Sequence, residues 1–305
     1  MAVTCSCSTT LGNTGTPNCK TLAKTTSMII AVRMLADDGV ANQIDVTDTL
    51  NQAYFDALVQ HTDASKRWYP ISELETVVQE RGESINQSYD SGRTIKIQDG
   101  FKTFSALKPE AEYAYLGKIE AFGCHKIGIY IVDIADNLKG EITTDAAYLR
   151  PMEVAAGTWD VRYSEATDTK TNEIMLNFQF AKSVSDSDLR MIVPSEMNNI
   201  SLLDLEGLKD VNGTHSAISV TGVTSVLSLD YGTAVTPVAV EGLAFGSIDV
   251  RNTTTLTDYA ASAAVEAPAG TYAIVFATAP SGTYNVILDS ATGYAAKVVG
   301  TFIIP

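Results

Sequence analysis

From residue 211 onward, short runs of β-favouring residues recur about every ten positions, at 217–220, 225–229, 234–240, 245–250, 272–278, 284–288 and 294–304. Gly, Pro or Asp separates almost all of them, which cuts each run to strand length and supplies a turn at its end. Gly270-Thr271-Tyr272 and Gly282-Thr283-Tyr284 read as entries into consecutive strands, with Ala279-Pro280-Ser281 turning the chain between them. Such punctuation leaves room for no long helix and predicts seven or eight short antiparallel strands.

That many strands in some ninety-five residues describes an immunoglobulin-like β-sandwich. The stretch contains neither Cys nor Trp, so it is not of the antibody type. Its charge also differs from what precedes it. Only Arg251 and Lys297 are cationic, against Asp230, Glu241, Asp249, Asp258, Glu266 and Asp289. The polar segment from Asp204 to Asp210, followed by Asn212-Gly213, reads as a linker with a turn. The predicted division is an extended arm over 1–26, a β domain over 27–209 and the sandwich over 210–305.

The middle part is predicted to be mainly β, a sandwich or barrel with flanking helices. A strand over 28–35, a turn at Ala36-Asp37-Asp38-Gly39 and a return over 40–44 form a hairpin. Leu50, Ala53, Tyr54, Ala57 and Leu58 keep helical spacing, with Asp48 placed to cap them. Strands follow at 74–79, 84–89, 94–98 and 101–107. A second helix begins after Pro109, with Ala111, Tyr115, Leu116, Ile119 and Phe122 on one stripe and Glu110 and Glu112 in its first turn. Segments 127–134 and 174–180 complete the sheet, the latter alternating Ile174, Leu176, Phe178 and Phe180, and 186–190 leaves it by a polar turn.

Constellations that carry chemistry are scarce. The three histidines are His61, His125 and His215. Cys5, Cys7 and Cys19, with Cys124-His125 far along the chain, are the one grouping of metal-ligand types, and paired Cys-x-x-Cys knuckles are absent. No metal or cofactor is expected, a disulfide from Cys19 stays open, and Cys124 is expected as a small core residue. Gly12 to Pro17 lacks the Gly-Lys-Ser/Thr ending of a phosphate loop and reads as a flexible arm. Glu73 and Glu75, two apart on a predicted strand, are either a solvated acidic face or a glycosidase-like pair. No catalytic residue is assigned.

Five residues are candidates for contact between subunits. Arg67, Trp68 and Tyr69 concentrate bulky groups in one loop, which either tucks into the monomer or reaches a neighbour. Ile95 and Ile97 lie on the 94–98 strand, whose edge is open in any unclosed sandwich. The chain carries 36 carboxylates against 21 Lys and Arg, a net charge of −15, which argues against a protein that grips phosphates. The first nineteen residues are polar and uncharged, and no secretion signal or membrane span is expected.

Cys5-Ser6-Cys7 through Cys19, Arg67-Trp68-Tyr69-Pro70 and Arg81-Gly82-Glu83-Ser84 resemble segments of virion structural proteins of phages infecting Bacteroidota. The expected architecture resembles that of the tail tube subunits of long-tailed phages, and the C-terminal module resembles the Ig-like domains that decorate virion proteins. That resemblance implies a virion protein made in the host cytoplasm, with no active site and no membrane partner. It implies self-assembly into rings, commonly six-fold, that stack into a conduit for DNA and contact other virion proteins. A head-tail adaptor, a head decoration protein, or a carbohydrate-binding or hydrolytic protein tethered by its Ig-like module are the alternatives.

Overall fold

The computed structural model describes residues 22–233, 235–289, 293, 294 and 298–304. Among the described residues, strand accounts for 49% and helix for 12%. The first part runs β1 (Thr26–Arg33), β2 (Ile44–Asp45), α1 (Gln52–Val59), β3 (Tyr69–Ile71), β4 (Glu75–Arg81), β5 (Ile85–Ser88), β6 (Thr94–Gln98) and β7 (Lys102–Pro109). It continues through α2 (Tyr113–Glu120), β8 (Ile127–Asp133), β9 (Leu138–Ile142), β10 (Tyr148–Arg150), β11 (Met152–Glu153), β12 (Asp160–Ser164), β13 (Glu173–Gln179) and β14 (Leu189–Ile192).

One sheet has the order β2-β10-β9-β8-β1-β3, with β11 beside β8 and β14 beside β9; a second has the order β12-β13-β7-β4. β1 is buried on both faces because its side chains alternate between two cores. Met28, Ile30 and Val32 pack with Phe55 and Val59 of α1, Trp68, Tyr130, and the downstream Met197, Leu202 and Leu205. Ile29 and Ala31 pack with Phe104, Ala106, Leu176 and Phe178 of the second sheet and with Ile119 of α2. The result is three layers with the first sheet in the middle, and each such apolar side chain contributes roughly 1.5–3 kcal/mol of burial.

Several local expectations shift. Ala36 to Gly39 does turn the chain, but the return makes a single bridge, Leu35 with Ala41, and Ile44 and Asp45 instead pair with β10. Asn51, not Asp48, caps α1: its Oδ1 accepts the Tyr54 amide at 3.0 Å. Glu110 and Glu112 precede α2 rather than filling its first turn, Glu110 in the left-handed region at φ 55°. A 3-10 turn over Ala121–Cys124 follows α2 and carries Cys124 to an exposed position, so it is not a core residue. Segment 186–188 is a 3-10 turn whose continuation re-enters the first sheet as β14. Of the arm expected over 1–26, residues 1–21 lie outside the described residues. Lys24 and Thr25 already hydrogen-bond to the Asp133–Ile134 end of β8, and Thr26 begins β1.

The second part comprises β15 (Val211–Ser219), β16 (Gly222–Gly232), β17 (Pro237–Ala239), β18 (Ile248–Asn252), β19 (Asp258–Glu266), β20 (Thr271–Phe276), β21 (Gly282–Leu288) and β22 (Val298–Ile304). Strand order is β15-β16-β20-β19-β18-β21-β22, with β17 beside β16. β19 changes partner along its length: Asp258 to Ala260 pair with β18, and Ala261 to Glu266 pair with β20 across an irregularity. The path thus folds into four strands, β15, β16, β20 and β19, facing three, β18, β21 and β22, the Greek-key arrangement of an Ig-like sandwich. Tyr284, near the start of β21, donates its hydroxyl to the carbonyl of Pro280 at 2.7 Å, the tyrosine corner of that fold.

The first and last strands approach so closely that a Cβ at position 213 would lie 2.3 Å from the carbonyl oxygen of Val299, which requires Gly213. The core of this part, from Val211 to Ile304, shares no residue with the two preceding cores, whose last contributor is Leu205.

Candidate functional site

The five candidate contact residues separate into two places. Ile95 and Ile97 lie on β6, which with β5 forms a two-stranded sheet that pairs with no other strand among the described residues. The pairing Gln87 with Ile95 and Ser88 with Thr94 leads to a turn closed by the Tyr89 amide on the Arg93 carbonyl, at 2.9 Å. β5 and β6 continue β4 and β7 beyond the sheet edge as one ribbon. At its root the Gly82 amide donates to the Phe101 carbonyl at 2.9 Å. Gly100 is held so close to Gly82 that a Cβ there would fall 1.8 Å from the Gly82 carbonyl oxygen. Lys182 braces the same root, its ammonium 5.1 Å above the Phe101 ring and 2.8 Å from Gln98 Oε1.

Beyond that root the arm buries almost nothing. Ile97 is 61% exposed, Ile85 49% and Ile95 37%. An isolated two-stranded hairpin is marginal in water, and apolar β-branched residues along it create a pairing hazard unless something covers them.

Arg67, Trp68 and Tyr69 lie elsewhere. Trp68 is 2% exposed and stacked on Tyr130, so it is a core residue and not a contact displayed by the isolated chain. Arg67 spends Nε on the His61 carbonyl at 2.8 Å and Nη2 on the Thr62 carbonyl at 3.3 Å. Tyr69 is half-buried in β3, its hydroxyl donating to the Ala64 carbonyl at 2.9 Å and its ring edge-on to Phe122 at 5.2 Å.

Arg67 and Tyr69 nonetheless share a cleft of about 460 Å³ where α2, β3 and the 207–210 segment meet, with Tyr231 of β16 on its rim. Lys118 of α2 holds this junction together. Its ammonium lies 3.1 Å from Asp210, 3.4 Å from Asp230 and 4.8 Å from the centre of the Tyr231 ring. Burial alone would lower the Lys118 pKa, but the hydrogen-bonded Asp210 carboxylate reverses this and the ammonium is stabilised. Burial pushes the Tyr115 phenol up, with Tyr231 adding to the effect, so that hydroxyl keeps its proton. Tyr115 and Lys118 lie one turn apart on α2, but nothing in the sequence marked Tyr231, from the distant β16, as their neighbour.

Glu73 and Glu75 are not a pair on one strand. Glu73 precedes β4 in the left-handed region, at φ 59°, and binds Lys108 at 3.1 Å. Among the described residues no three His, Cys, Asp or Glu side chains gather as metal ligands. Cys5, Cys7, Cys19 and the Gly12 to Pro17 segment lie outside the described residues. No described helix is long and apolar enough to cross a membrane. No family model matches the chain, and no curated protein matches it in sequence.

Proposed function

We propose that this chain is a self-assembling structural subunit of a phage virion, most simply a tail tube subunit whose rings stack into a conduit for DNA. The observation that carries the reading is the β5–β6 arm: a ribbon with isoleucines on exposed strands and, among the described residues, no further strand paired to it. A second copy supplies the missing partner, and a head-to-tail contact of that kind closes naturally into a ring. The ring number and the virion setting rest on the sequence resemblance. The Ig-like unit, with its separate core, is free in this reading to project outward and meet other virion components. The excess of fifteen negative charges suits a surface past which DNA slides, because carboxylates repel phosphates.

Negative-stain microscopy and mass photometry of the purified full chain test the proposal. Rings or tubes are expected; a monodisperse monomer across the accessible concentration range overturns it.

A further inference from the structure

The junction cleft has the size of a small-molecule site, within the ~300–1,000 Å³ typical of such clefts, and its chemistry narrows what fits. Three cations and three carboxylates line it, and the cations are already committed. Arg33 is paired with Asp37 at 2.7 Å, Lys118 with Asp210 and Asp230, and Arg67 with two backbone carbonyls. No free cation is left to attract an anion.

What remains uncommitted is a small set of polar groups. The hydroxyls of Tyr115 and Tyr231 make no hydrogen bond to any described residue, and the same holds for the exposed ring of His125. The Asp63 carboxylate uses only Oδ1, on the Ser65 amide at 2.8 Å and the Ser65 hydroxyl at 2.7 Å. These donors and acceptors stand around apolar walls built by Tyr69, Ile71 and Phe122.

We propose that this cleft binds a neutral saccharide, one ring face lying on the aromatic wall and its hydroxyls exchanging hydrogen bonds with Tyr115, His125 and Tyr231. A sugar ring presents apolar C–H faces and a rim of groups that both donate and accept. That combination matches a set of hydroxyl and imidazole partners beside aromatic rings.

Saturation-transfer NMR on the full chain tests this, with free glucose, galactose, mannose, N-acetylglucosamine and rhamnose as probes and glucuronic acid as the charged comparison. Transfer to the ring protons of at least one neutral sugar is expected. Affinity should fall about fivefold in Tyr115→Phe, which loses one hydrogen bond, and fall similarly in His125→Ala. His125 is exposed, so the fold should survive its removal and circular dichroism of that variant should match the parent. Absence of transfer for every neutral sugar, binding of glucuronic acid alone, or unchanged affinity in both variants overturns the proposal.

Discussion

Trp68 lies over Tyr130 with ring centroids 4.8 Å apart and planes inclined by 29°. Tyr130 is itself anchored, its hydroxyl donating to the Leu149 carbonyl at 2.8 Å, and Phe55 of α1 meets Trp68 edge-on at 5.8 Å. The bulkiest side chain of the 67–70 loop thus ties β3, β8, β10 and α1 together from inside.

Trp68→Ala should therefore cost about 3–5 kcal/mol of stability, the usual range for emptying a large aromatic site. Urea denaturation followed by circular dichroism measures it. Molecules that remain folded should assemble as the parent does; loss of assembly at unchanged stability would show that Trp68 acts between subunits.

Ile97→Lys should do the opposite. A substitution at a position 61% exposed normally moves stability by less than about 0.5 kcal/mol, yet it places a charge on the strand proposed to meet a second copy. Thermal melting should be unchanged while size-exclusion chromatography shows smaller species. Oligomers identical to the parent would argue against assembly through the arm.

Asp133, buried at the β8–β9 turn, predicts a pH dependence. Burial alone would raise its pKa, but the Asn137 side chain and the amides of Lys24, Ala135 and Asn137 all donate to it, and the net effect lowers it. A carboxyl with a folded pKa below its unfolded value adds stability that is fully present above the unfolded value, near 3.8, and is lost as pH falls through the folded one. The parent should lose stability on acidification below about pH 4. Asp133→Asn should be less stable at neutral pH and should show a shallower acid decline.

Tyr284→Phe removes the hydroxyl that closes the β20–β21 corner on Pro280 and leaves the ring in place. A loss of roughly 1 kcal/mol is expected, confined to the unfolding of the Ig-like unit. Hydrogen exchange should show faster opening of β21 and β22 amides with β1 and β8 unaffected; uniform acceleration across both parts would mean that they unfold as one.

Legibility in the sequence followed how strongly each local pattern was forced. Ile174, Leu176, Phe178 and Phe180 are all buried while Met175, Asn177 and Gln179 are not, because one face of β13 lies on a core and the period of two records it. β6 was read at its observed bounds, since turn residues bracket it on both sides. β19 was missed because Ala260, Ala261, Ser262, Ala263 and Ala264 have poor β propensity, and cross-strand packing on β20 overrides it. The cap of α1 was placed three residues early because Asp48 and Asn51 are both capable acceptors, and only the turn begun by Asp45 decides between them. The cleft left no signature beyond Arg67 and Tyr69, since its walls come from segments far apart in the chain.

β1 feeds two cores at once, with Met28, Ile30 and Val32 on one side and Ile29 and Ala31 on the other. Antiparallel ladders to β8 and to β3 flank it, so tension applied along it loads both rows of hydrogen bonds together, in shear. Pulling on the N-terminal end of β1 would then load both ladders before either core opens. Once that strand yields, both cores lose a wall in the same event, and rupture should register as a single step at high force.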